Sequence, residues 1–387
     1  MIRLSVGVIG GGAIGLAAAL QLAELGASEV TVLEKAHIAS GSSGLSVGII
    51  ETQYLEPLDI EIRVRSMGFF AALEREHHLA IRRNGYLRLA HDASLLLAFE
   101  ESIRVQRELG VHDARVLDVR GLRQLVPDLR CEDVVGGLFG PSDGYIDGHL
   151  YCQLLADLAK ARNVAVRTQV ALVREEAGAS HAHRLVTTHG DIECDFIVNA
   201  AGAWAGEVGL LLGTPVRLLP QRHQVALAHL PRPLAYVMPS VMDYIPHSGG
   251  YGLYFRHDTE SRLLVGLHTE EPLHDNVDPN SYSRSTDYAF LEAVTEKFAF
   301  RLPLLADARL RPGWAGLYPM SPDGVAQVGP NPGRETLISA CGAGGSGLQT
   351  SPAIGRLAAE WIMFGEPRSI PAASLLVPRR DSLASGL

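Results

Sequence analysis

The sequence predicts an α/β protein that opens with a Rossmann-like unit, and three observations lead to this prediction. The first is a pattern of strand, glycine-rich turn, helix and strand that ends in an acidic residue within the first 34 residues. The second is a composition of 47% hydrophobic and 20% charged residues in 387 residues, typical of a globular protein of about two or three domains. The third is the presence of short runs, such as 262–268, that read as strands between polar flanks.

The elements of the opening unit follow from its hydrophobic periodicity. Residues 4–9 form a short apolar run, which predicts a buried strand. The turn GGGAIG follows, and 13–25 carries apolar residues at helical spacing before Gly26 ends the helix. A second apolar run at 30–33 predicts the next strand, and Glu34 closes it.

Each part of this pattern suits a dinucleotide. Gly10 allows the tight turn, Gly12 lets a pyrophosphate approach the backbone, and Gly15 lets helix and strand pack closely. The helix N-terminus offers free N–H groups to the phosphates. Glu34 follows Gly15 by 19 residues, close to the spacing of about 20 expected for the acid that binds the ribose. An acid at this position disfavours the 2′-phosphate of NADP.

Charge, cysteines and histidines exclude other classes of protein. The net charge of −9 disfavours a nucleic-acid partner or an anionic membrane surface. The four cysteines form no CxxC pair, so we expect reduced thiols in a cytoplasmic enzyme. We expect no metal, because the histidine pairs lack neighbouring ligands at metal spacing. We also expect no signal peptide, and no segment reaches the ~18 apolar residues of a membrane span.

A second glycine- and serine-rich stretch at 39–50 indicates which dinucleotide is bound. A nicotinamide enzyme does not need it, whereas a flavoprotein must lead the long FAD molecule past it to the isoalloxazine ring. Further motifs follow along nearly the whole chain: VIGGGAIG, ELGASEVTVLEK, ASGSSGLSVGII, GGLFGPSDGYIDGHLYCQLLADLAK, IVNAAGAWAGEV, LLPQRHQVAL, GLYFR, WAGLYPMSPDG and CGAGGSGLQTSPAIG. With these motifs the sequence resembles the D-amino acid oxidase superfamily of FAD-dependent oxidoreductases, in the glycine oxidase and sarcosine oxidase branch.

The resemblance implies two domains. The FAD-binding Rossmann-like domain is discontinuous and comprises 1–84, 146–221 and 309–370. The second is an α+β substrate domain, built on a mainly antiparallel sheet from 85–145 and 222–308. Residues 371–387 are expected to form a surface tail.

The resemblance also implies which residues contact FAD. Glu34 and Lys35 fall at the adenosine ribose, and Val170 falls where a backbone pair holds the adenine. The expected cofactor-binding residues are Gly10, Gly12, Ala13, Ile14, Gly15, Glu34, Lys35, Ser42, Ser43, Val47, Gly48, Ile49, Val170, Ala200, Ala201, Gly202, Gly344, Gly345, Ser346, Gly347, Leu348 and Gln349. Non-covalent FAD is expected, because the positions that hold Cys or His in covalently linked relatives are Gly316 and Leu45 here.

The last glycine-rich motif leads into a predicted helix at 352–364. Ser351 suits the N-cap of this helix and Pro352 suits its first position. In the family this helix start faces the flavin pyrimidine ring, where its dipole favours the negative charge of the reduced ring.

The substrate end departs from the family pattern. Glycine oxidase relatives carry an Arg in a GLRP motif where this chain has Tyr318, and sarcosine oxidase relatives carry an Arg and a Lys where it has Glu51 and Gln349. The candidates for the substrate pocket are Tyr254, Tyr318, Gln349, Glu51 and Arg256, with Arg222 as an alternative source of positive charge. If Glu51 faces the pocket, it favours a cationic amine.

The implied reaction oxidises a C–N bond of an amino acid or of a secondary or tertiary amine by hydride transfer to flavin N5. Water then hydrolyses the imine, and oxygen or an electron carrier reoxidises the flavin. Two alternatives stay open. One is a 2-hydroxy acid oxidase or dehydrogenase. The other is an FAD-binding assembly or interaction protein with little catalysis, because SGLSVGII also resembles FAD-dependent oxidoreductase-domain proteins that help to build respiratory complexes. A homo-oligomer or a companion subunit also stays open.

Overall fold

The computed structural model describes residues 4–245, 248, 250–269 and 276–378. Within the predicted tail, a short 3-10 helix spans Pro371–Leu376, and its Ala373 and Leu376 are buried against the core. Residues 379–387 of that tail lie outside the described residues.

The strands of the described residues belong to four sheets. They are β1 (Ser5–Ile9), β2 (Glu29–Glu34), β3 (Ile49–Ile50), β4 (Tyr86–Ala90), β5 (Arg115–Leu117), β6 (Gly136–Gly140), β7 (Gly144–Tyr145), β8 (Ala165–Thr168), β9 (Leu172–Ala177), β10 (His183–Thr187), β11 (Ile192–Cys194), β12 (Phe196–Asn199), β13 (Leu219–His229), β14 (Ser240–Asp243), β15 (Gly252–Thr259), β16 (Arg262–His268), β17 (Arg309–Met320), β18 (Gln327–Asn331) and β19 (Arg334–Cys341).

The helices fall mainly between these strands and after the last one. They are α1 (Ala13–Glu24), α2 (Ser42–Leu45), α3 (Pro57–His77), α4 (Ala93–Glu108), α5 (Val119–Leu125), α6 (Gly148–Ala161), α7 (Ala205–Leu211), α8 (Tyr288–Arg301) and α9 (Gly347–Phe364).

The six-stranded sheet has the order β18-β19-β12-β1-β2-β8, and all its pairs except β18–β19 are parallel. The central strand β1 is buried at every position, because α1 packs on one face of the sheet and the small sheet β11-β10-β9 on the other. This two-sided burial explains its continuous apolar run. The carboxyl ends of β1, β2 and β12 meet at one edge, which is where ligands bind in open α/β sheets.

The eight-stranded sheet has the order β17-β13-β16-β15-β14-β4-β6-β5, and β4–β14 is its one parallel pair. One face carries alternate apolar residues that pack with α8, among them Leu87, Phe255 and Val265 with Phe298. The other face carries the intervening residues and turns towards the six-stranded sheet. The predicted fold class, α/β with a mainly antiparallel second sheet, is confirmed.

Two strands of the eight-stranded sheet do not follow the predicted division of the chain into domain segments. β17 belongs to the eight-stranded sheet, although it begins the segment 309–370 that we assigned to FAD binding. β13 also belongs to this sheet and crosses the predicted boundary at 221. The division of the chain into two domains stays a prediction.

Helix α9 packs against helix α1, which joins the last and the first of the predicted FAD-binding segments. Gly355 of α9 lies so close to α1 that a Cβ there would stand 2.6 Å from the backbone nitrogen of Ala18. Gly68 lies on an exposed face of α3, where a Cβ would meet nothing within 4 Å. The two helical glycines therefore differ only in what surrounds them.

We predict that Gly355→Ala lowers the free energy of unfolding by about 1–3 kcal/mol, because the added methyl group forces the two helices apart. Gly68→Ala, the matched control, raises it by up to about 1 kcal/mol through helix propensity. The midpoint of thermal unfolding measures both changes. Equal midpoints for the two variants would show that the α1–α9 contact is looser than the structure has it.

Candidate functional site

A cavity of about 430 Å³ lies between the carboxyl edge of the parallel sheet and the inner face of the eight-stranded sheet. This volume falls within the ~300–1,000 Å³ of small-molecule sites. The predicted residues that line it are Gly10, Gly12, Ala13, Ile14, Glu34, Lys35, Ser42, Ser43, Val47, Ile49, Glu51, Val170, Ala200, Ala201, Gly202, Tyr254, Tyr318, Gly344, Gly345, Ser346, Gly347, Leu348 and Gln349. The structure leaves Gly15, Gly48 and Arg256 outside the lining.

The first glycine-rich turn is fixed by close approach of backbone to backbone. Gly10 has φ +117°, and a Cβ there would stand 2.4 Å from the carbonyl oxygen of Ala200. A Cβ at Gly15 would stand 2.0 Å from the carbonyl oxygen of Gly10. Gly15 thus acts through packing of helix on strand. Gly12 faces the cavity and leaves backbone accessible there.

Glu34 ends β2 at the cavity wall and is 8% exposed. Its Oε2 accepts a hydrogen bond from the N–H of Gly11 at 2.8 Å, and its Oε1 accepts one from Ala36 at 2.7 Å. The carboxylate therefore ties the glycine-rich turn to the second strand. It remains at the edge where the ribose-binding acid of a dinucleotide site belongs.

Lys35 and Trp204 form the next part of the wall. The Lys35 ammonium lies 3.9 Å from the centre of the Trp204 ring, and the indole N–H donates to Asn280 Oδ1 at 2.8 Å. Asn280 in turn donates to Glu207 at 2.7 Å. Burial lowers the pKa of Lys35, while Glu207 and Glu34 act in the opposite direction. Val170 lines the same end of the cavity.

The second glycine-rich stretch is anchored at both ends. Ser43 Oγ accepts a hydrogen bond from the Ala13 N–H at 3.0 Å, and Ser42 Oγ donates to the Leu317 carbonyl at 2.7 Å. Gly48 has φ +79°, and a Cβ there would stand 1.9 Å from the carbonyl oxygen of Ile146. The stretch therefore joins the first turn to the eight-stranded sheet, and Gly48 serves this packing without facing the cavity.

The last glycine-rich motif forms a helix start that differs from the prediction. α9 begins at Gly347, five residues before the predicted start, so the assignment of Ser351 as N-cap and Pro352 as first residue is wrong. Pro352 lacks an N–H for the Leu348 carbonyl four residues earlier, and the Ser351 hydroxyl donates to that carbonyl at 2.8 Å. The carbonyl that Pro352 leaves without its usual N–H therefore still accepts a hydrogen bond inside the helix. Gly345 lies under Tyr318, whose ring a Cβ would meet at 2.5 Å.

Aromatic and imidazole rings enclose the far end of the cavity. Tyr318 stacks on His223 with ring centres 3.7 Å apart, and the Tyr254 ring lies across Gly266. Burial raises the pKa of Tyr318 to about 12 and raises that of Tyr254 as well. Burial lowers the pKa of His223 to about 3, with a further contribution from His268. His223 is therefore neutral at neutral pH, and its Nε2 has no hydrogen-bond partner among the described residues.

Glu51 reaches the cavity wall, where it forms a buried ion pair with Arg63. The Glu51 Oε1–Arg63 Nε distance is 3.3 Å, and both side chains are 2% exposed. Arg63 also binds Asp59 at 3.1 Å, donates to Ser346 Oγ at 2.8 Å and lies 3.5 Å from the Tyr54 ring centre. Arg63 therefore balances the charge of Glu51. The Oε2 atom of Glu51 has no hydrogen-bond partner among the described residues.

A buried polar network holds the segment that carries Glu51. Gln349 Oε1 accepts the Glu51 N–H at 3.1 Å. Behind it, Asp143 accepts the Thr52 N–H at 3.1 Å and the Gln53 side-chain N–H at 2.8 Å. Burial, with Glu51 adding to it, raises the pKa of Asp143 well above its usual range. The side-chain oxygen of Gln349 is thus used to position the backbone of Glu51.

The two arginines that we considered as sources of positive charge for the substrate, Arg256 and Arg222, bind other groups. Arg256 donates to the Val47 carbonyl at 2.7 Å and lies 3.9 Å from the centre of the Tyr145 ring. Arg222 forms an ion pair with Asp287. Neither lines the cavity. Strand parity does place Arg256 and Tyr254 on one face of the sheet, but the Arg256 guanidinium packs on the Tyr145 ring and stays outside the cavity lining.

The structure instead places Arg88, which the sequence analysis missed, in the cavity wall. Arg88 is 4% exposed, shares a side-chain hydrogen bond with Tyr86, and lies 4.9 Å from the Tyr54 ring centre. The signal in the sequence is a charged residue inside the short apolar strand YLRLA. Such a residue in a buried strand is informative because burying a charge is unfavourable unless it is paired or functional.

Other chemistry is sparse in the described part of the chain. No group of three or more His, Cys, Asp and Glu residues there could hold a metal ion. No helix of the described residues has the length and apolar character needed to cross a membrane. The cysteines at 131, 152, 194 and 341 are buried free thiols.

The parallel sheet with its glycine-rich turn, joined by one cavity to an aromatic compartment under a mostly antiparallel sheet, defines a dinucleotide-binding oxidoreductase. The chain belongs to the family described as "DAO: FAD dependent oxidoreductase", whose match covers residues 5–361. FAD is accordingly its cofactor, and the predicted family and cofactor are confirmed.

Several named proteins are similar to this chain in sequence or structure. The chain is 28% identical to "FAD-dependent oxidoreductase domain-containing protein 1" of Bos taurus over 97% of this chain and 85% of that protein. It is 26% identical to sarcosine dehydrogenase of Homo sapiens over 94% of this chain, and spans 40% of that longer protein. The structure of L-proline dehydrogenase from P. horikoshii superposes with a TM-score of 0.85 at 25% identity, covering 98% of both chains. Glycine oxidase of Geobacillus kaustophilus is also among the relatives, with 24% identity.

We predict that Glu34→Gln weakens FAD binding about 10- to 100-fold, because hydrogen bonds to a charged group contribute about 1.5–3 kcal/mol. The amide also brings a donor to a place where backbone N–H groups already donate. The measurement is FAD content and affinity after reconstitution of the apoprotein. Glu76→Gln, on the exposed end of α3, is the control and keeps wild-type affinity. An unchanged affinity for Glu34→Gln would remove the carboxylate from the FAD site.

We predict that His223 makes the protein less stable in acid. The unfolded chain binds a proton at this histidine below about pH 6.5, whereas the folded protein does not, so the free energy of unfolding falls as the pH drops. At about pH 5.5 the loss is about 1.4 kcal/mol. His223→Gln therefore shows a correspondingly smaller decrease in unfolding free energy between about pH 7.5 and 5.5.

Denaturation curves at the two pH values measure this difference. His229→Gln, at the exposed end of the same strand, is the control and keeps the wild-type pH dependence. An identical pH dependence for wild type and His223→Gln would mean that folding does not lower the pKa of His223.

Proposed function

We propose that this protein oxidises a C–N bond of an amino acid or of a secondary or tertiary amine, using FAD. The observation that carries the proposal is the single cavity that joins the nucleotide-binding edge of the parallel sheet to an enclosed aromatic compartment. Such a cavity can hold an extended dinucleotide with its reactive end beside a small substrate. Relatives whose names state amine or amino acid substrates, such as sarcosine dehydrogenase and glycine oxidase, support it.

The residues present fit FAD along the length of the cavity. Backbone at Gly12 and the start of α1 suit the pyrophosphate, and Glu34 suits the ribose. At the other end, Gly344, Gly345 and Gly347 line the cavity where α9 begins, so backbone reaches its surface there, which suits a flat ring system. Bound FAD supplies a two-electron oxidant that accepts a hydride from carbon.

The balance of the reaction is simple. The substrate carbon loses a hydride, and the nitrogen lone pair turns the C–N bond into the C=N bond of an iminium ion. Water then hydrolyses this ion to a carbonyl compound and an amine, with release of one proton. Oxygen or an electron carrier removes the two electrons in a second step. A 2-hydroxy acid would react in the same sense at a C–O bond, giving the carbonyl compound directly.

In this proposal the residues of the chain position the substrate and set its surroundings, and they do not act as strong acids or bases. The rings of Tyr254, Tyr318 and His223 exclude water from the compartment and hold a small substrate in one orientation. Because His223 is neutral, it adds no positive charge beside the amine and can accept a hydrogen bond from an N–H group. This suits an amine, which must be uncharged to release a hydride.

We predict that the yellow protein, kept free of oxygen, loses its ~450 nm flavin band when an amino acid or amine substrate is added. The panel comprises glycine, sarcosine, dimethylglycine, proline, both enantiomers of common amino acids, amines without a carboxylate, and 2-hydroxy acids. Dithionite is the control that shows the flavin can be reduced.

The outcomes separate the candidate functions. Bleaching by an amino acid or amine supports the proposal and names the substrate class. Bleaching by 2-hydroxy acids alone replaces it with oxidation at C–O. A flavin that only dithionite reduces contradicts the enzymatic proposal and favours an FAD-binding assembly or interaction protein.

A further inference from the structure

A segment that precedes α8 runs from the eight-stranded sheet to the nucleotide end of the cavity. Residues 276–287, which we call the strap, have no helix or strand. The Val277 N–H donates to the Pro220 carbonyl of β13 at 3.0 Å, and the Ala315 N–H of β17 donates to the Arg284 carbonyl at 2.8 Å. The backbone of the strap is therefore bound to two neighbouring strands of the sheet.

Arg222 of β13 anchors the half of the strap that leads into α8. Its guanidinium donates to the carbonyls of Ser283 and Ser285 and forms an ion pair with Asp287. Gln224, on the same strand, accepts the Asp287 N–H at 2.7 Å and donates to the Asp287 carboxylate at 3.1 Å. The Arg222 side chain is only 15% exposed, because the strap covers it.

A turn in the other half of the strap presents Asn280. The sequence Asp278, Pro279, Asn280 and Ser281 favours a β-turn, since Asp suits the first position and Pro the second. The Ser281 N–H donates to the Asp278 carbonyl at 3.2 Å, and the Asp278 carboxylate accepts the Asn280 N–H at 2.8 Å. These bonds fix the backbone under Asn280, so less backbone entropy is lost when its side chain makes contacts.

The Asn280 amide joins three side chains of the cavity wall. Its oxygen accepts the indole N–H of Trp204 at 2.8 Å and the ammonium of Lys35 at 3.4 Å, and its nitrogen donates to Glu207 at 2.7 Å. Two donors thus meet the oxygen and one acceptor meets the nitrogen. Lys35, Trp204 and Glu207 line the cavity, whereas Asn280 lies outside the lining. Asn280 therefore positions the wall from behind.

This wall stands at the end of the cavity that suits the adenosine of FAD. Lys35 follows Glu34, the acid at the place of the ribose, and Val170 lines the same end. Trp204 is half-buried, and Lys35 and Glu207 are exposed. Exposed side chains are held in place only by the contacts that they make. The bonds from Asn280 therefore order the part of the wall that borders solvent.

We propose that the strap closes the adenosine end of the cavity and retains FAD, with Asn280 as the residue that positions the wall. The inference goes beyond the proposed function, because it concerns release of the cofactor and does not depend on which substrate is oxidised. Release of the adenosine requires this wall to open, so the bonds of Asn280 act on the rate at which FAD leaves.

The test measures how fast FAD leaves the diluted yellow holoprotein, as flavin that passes an ultrafiltration membrane over time. Asn280→Ala releases FAD about 3- to 10-fold faster than wild type, because opening the wall no longer breaks these hydrogen bonds. The visible spectrum of the flavin that remains bound keeps its wild-type shape, since the ring belongs at the other end of the cavity. Asn276→Ala, at another exposed asparagine of the strap, is the matched control and keeps the wild-type rate.

Arg222→Gln tests the strap through its anchor. It also speeds release, and the double variant Arg222→Gln/Asn280→Ala releases FAD no faster than the faster single variant, because both changes act through the same contact. If Arg222→Gln does not fold with FAD bound, Asp287→Ala takes its place, since it removes the other partner of the ion pair. An unchanged rate for Asn280→Ala, an equal increase for Asn276→Ala, fold-changes that multiply in the double variant, or an altered flavin spectrum overturns the proposal.

Discussion

The rest of the site depends on the buried guanidinium of Arg63. It joins helix α3 to the segment after β3 through Glu51, to the last glycine-rich motif through Ser346, and to the cavity wall through the Tyr54 ring. Burial by itself lowers the pKa of this arginine, but Tyr54, Asp59 and Glu51 outweigh burial and raise it. A buried ion pair of this kind contributes little net stability against an apolar alternative, yet removing one partner leaves the other charge unpaired. Its effect is therefore to fix two neighbouring segments, α3 and the residues after β3, to the last glycine-rich motif, which lies 283 residues further along the chain.

A second constraint is steric and acts at the nucleotide end. Gly10 and Gly15 let β1, α1 and the chain after β12 approach within backbone contact, which no side chain would allow. Glu34 then binds the N–H groups of Gly11 and Ala36, so the second strand holds the turn in place. The two constraints meet along one cavity, because the second glycine-rich stretch links the turn at Ala13 to the strand that carries Leu317. The nucleotide end and the substrate end are thus parts of one packed unit.

Much of this could be predicted from the sequence where the signal is local. The strand, turn, helix and strand of the first unit follow from apolar periodicity and glycine spacing, and the family follows from ordered motifs. The start of α9 could not be placed, because a proline favours the beginning of a helix over its interior, and the hydrogen bond from the Ser351 hydroxyl to the Leu348 carbonyl is visible only in the folded helix. The strand β17 could not be predicted either, because its pairing with β13 joins residues about 90 positions apart in sequence.

The sequence by itself determined the class of this protein: a glycine-rich turn after a buried strand, an acid at the end of the next strand, and an oxidoreductase family that uses FAD. Only the tertiary structure decided which charges meet at the substrate end. It neutralised Glu51 with Arg63, turned Arg256 away and brought Arg88 into the wall. The reason is physical. Turn and strand preferences act between neighbours in the chain, whereas the balance of buried charges depends on which distant side chains the packed sheets bring together.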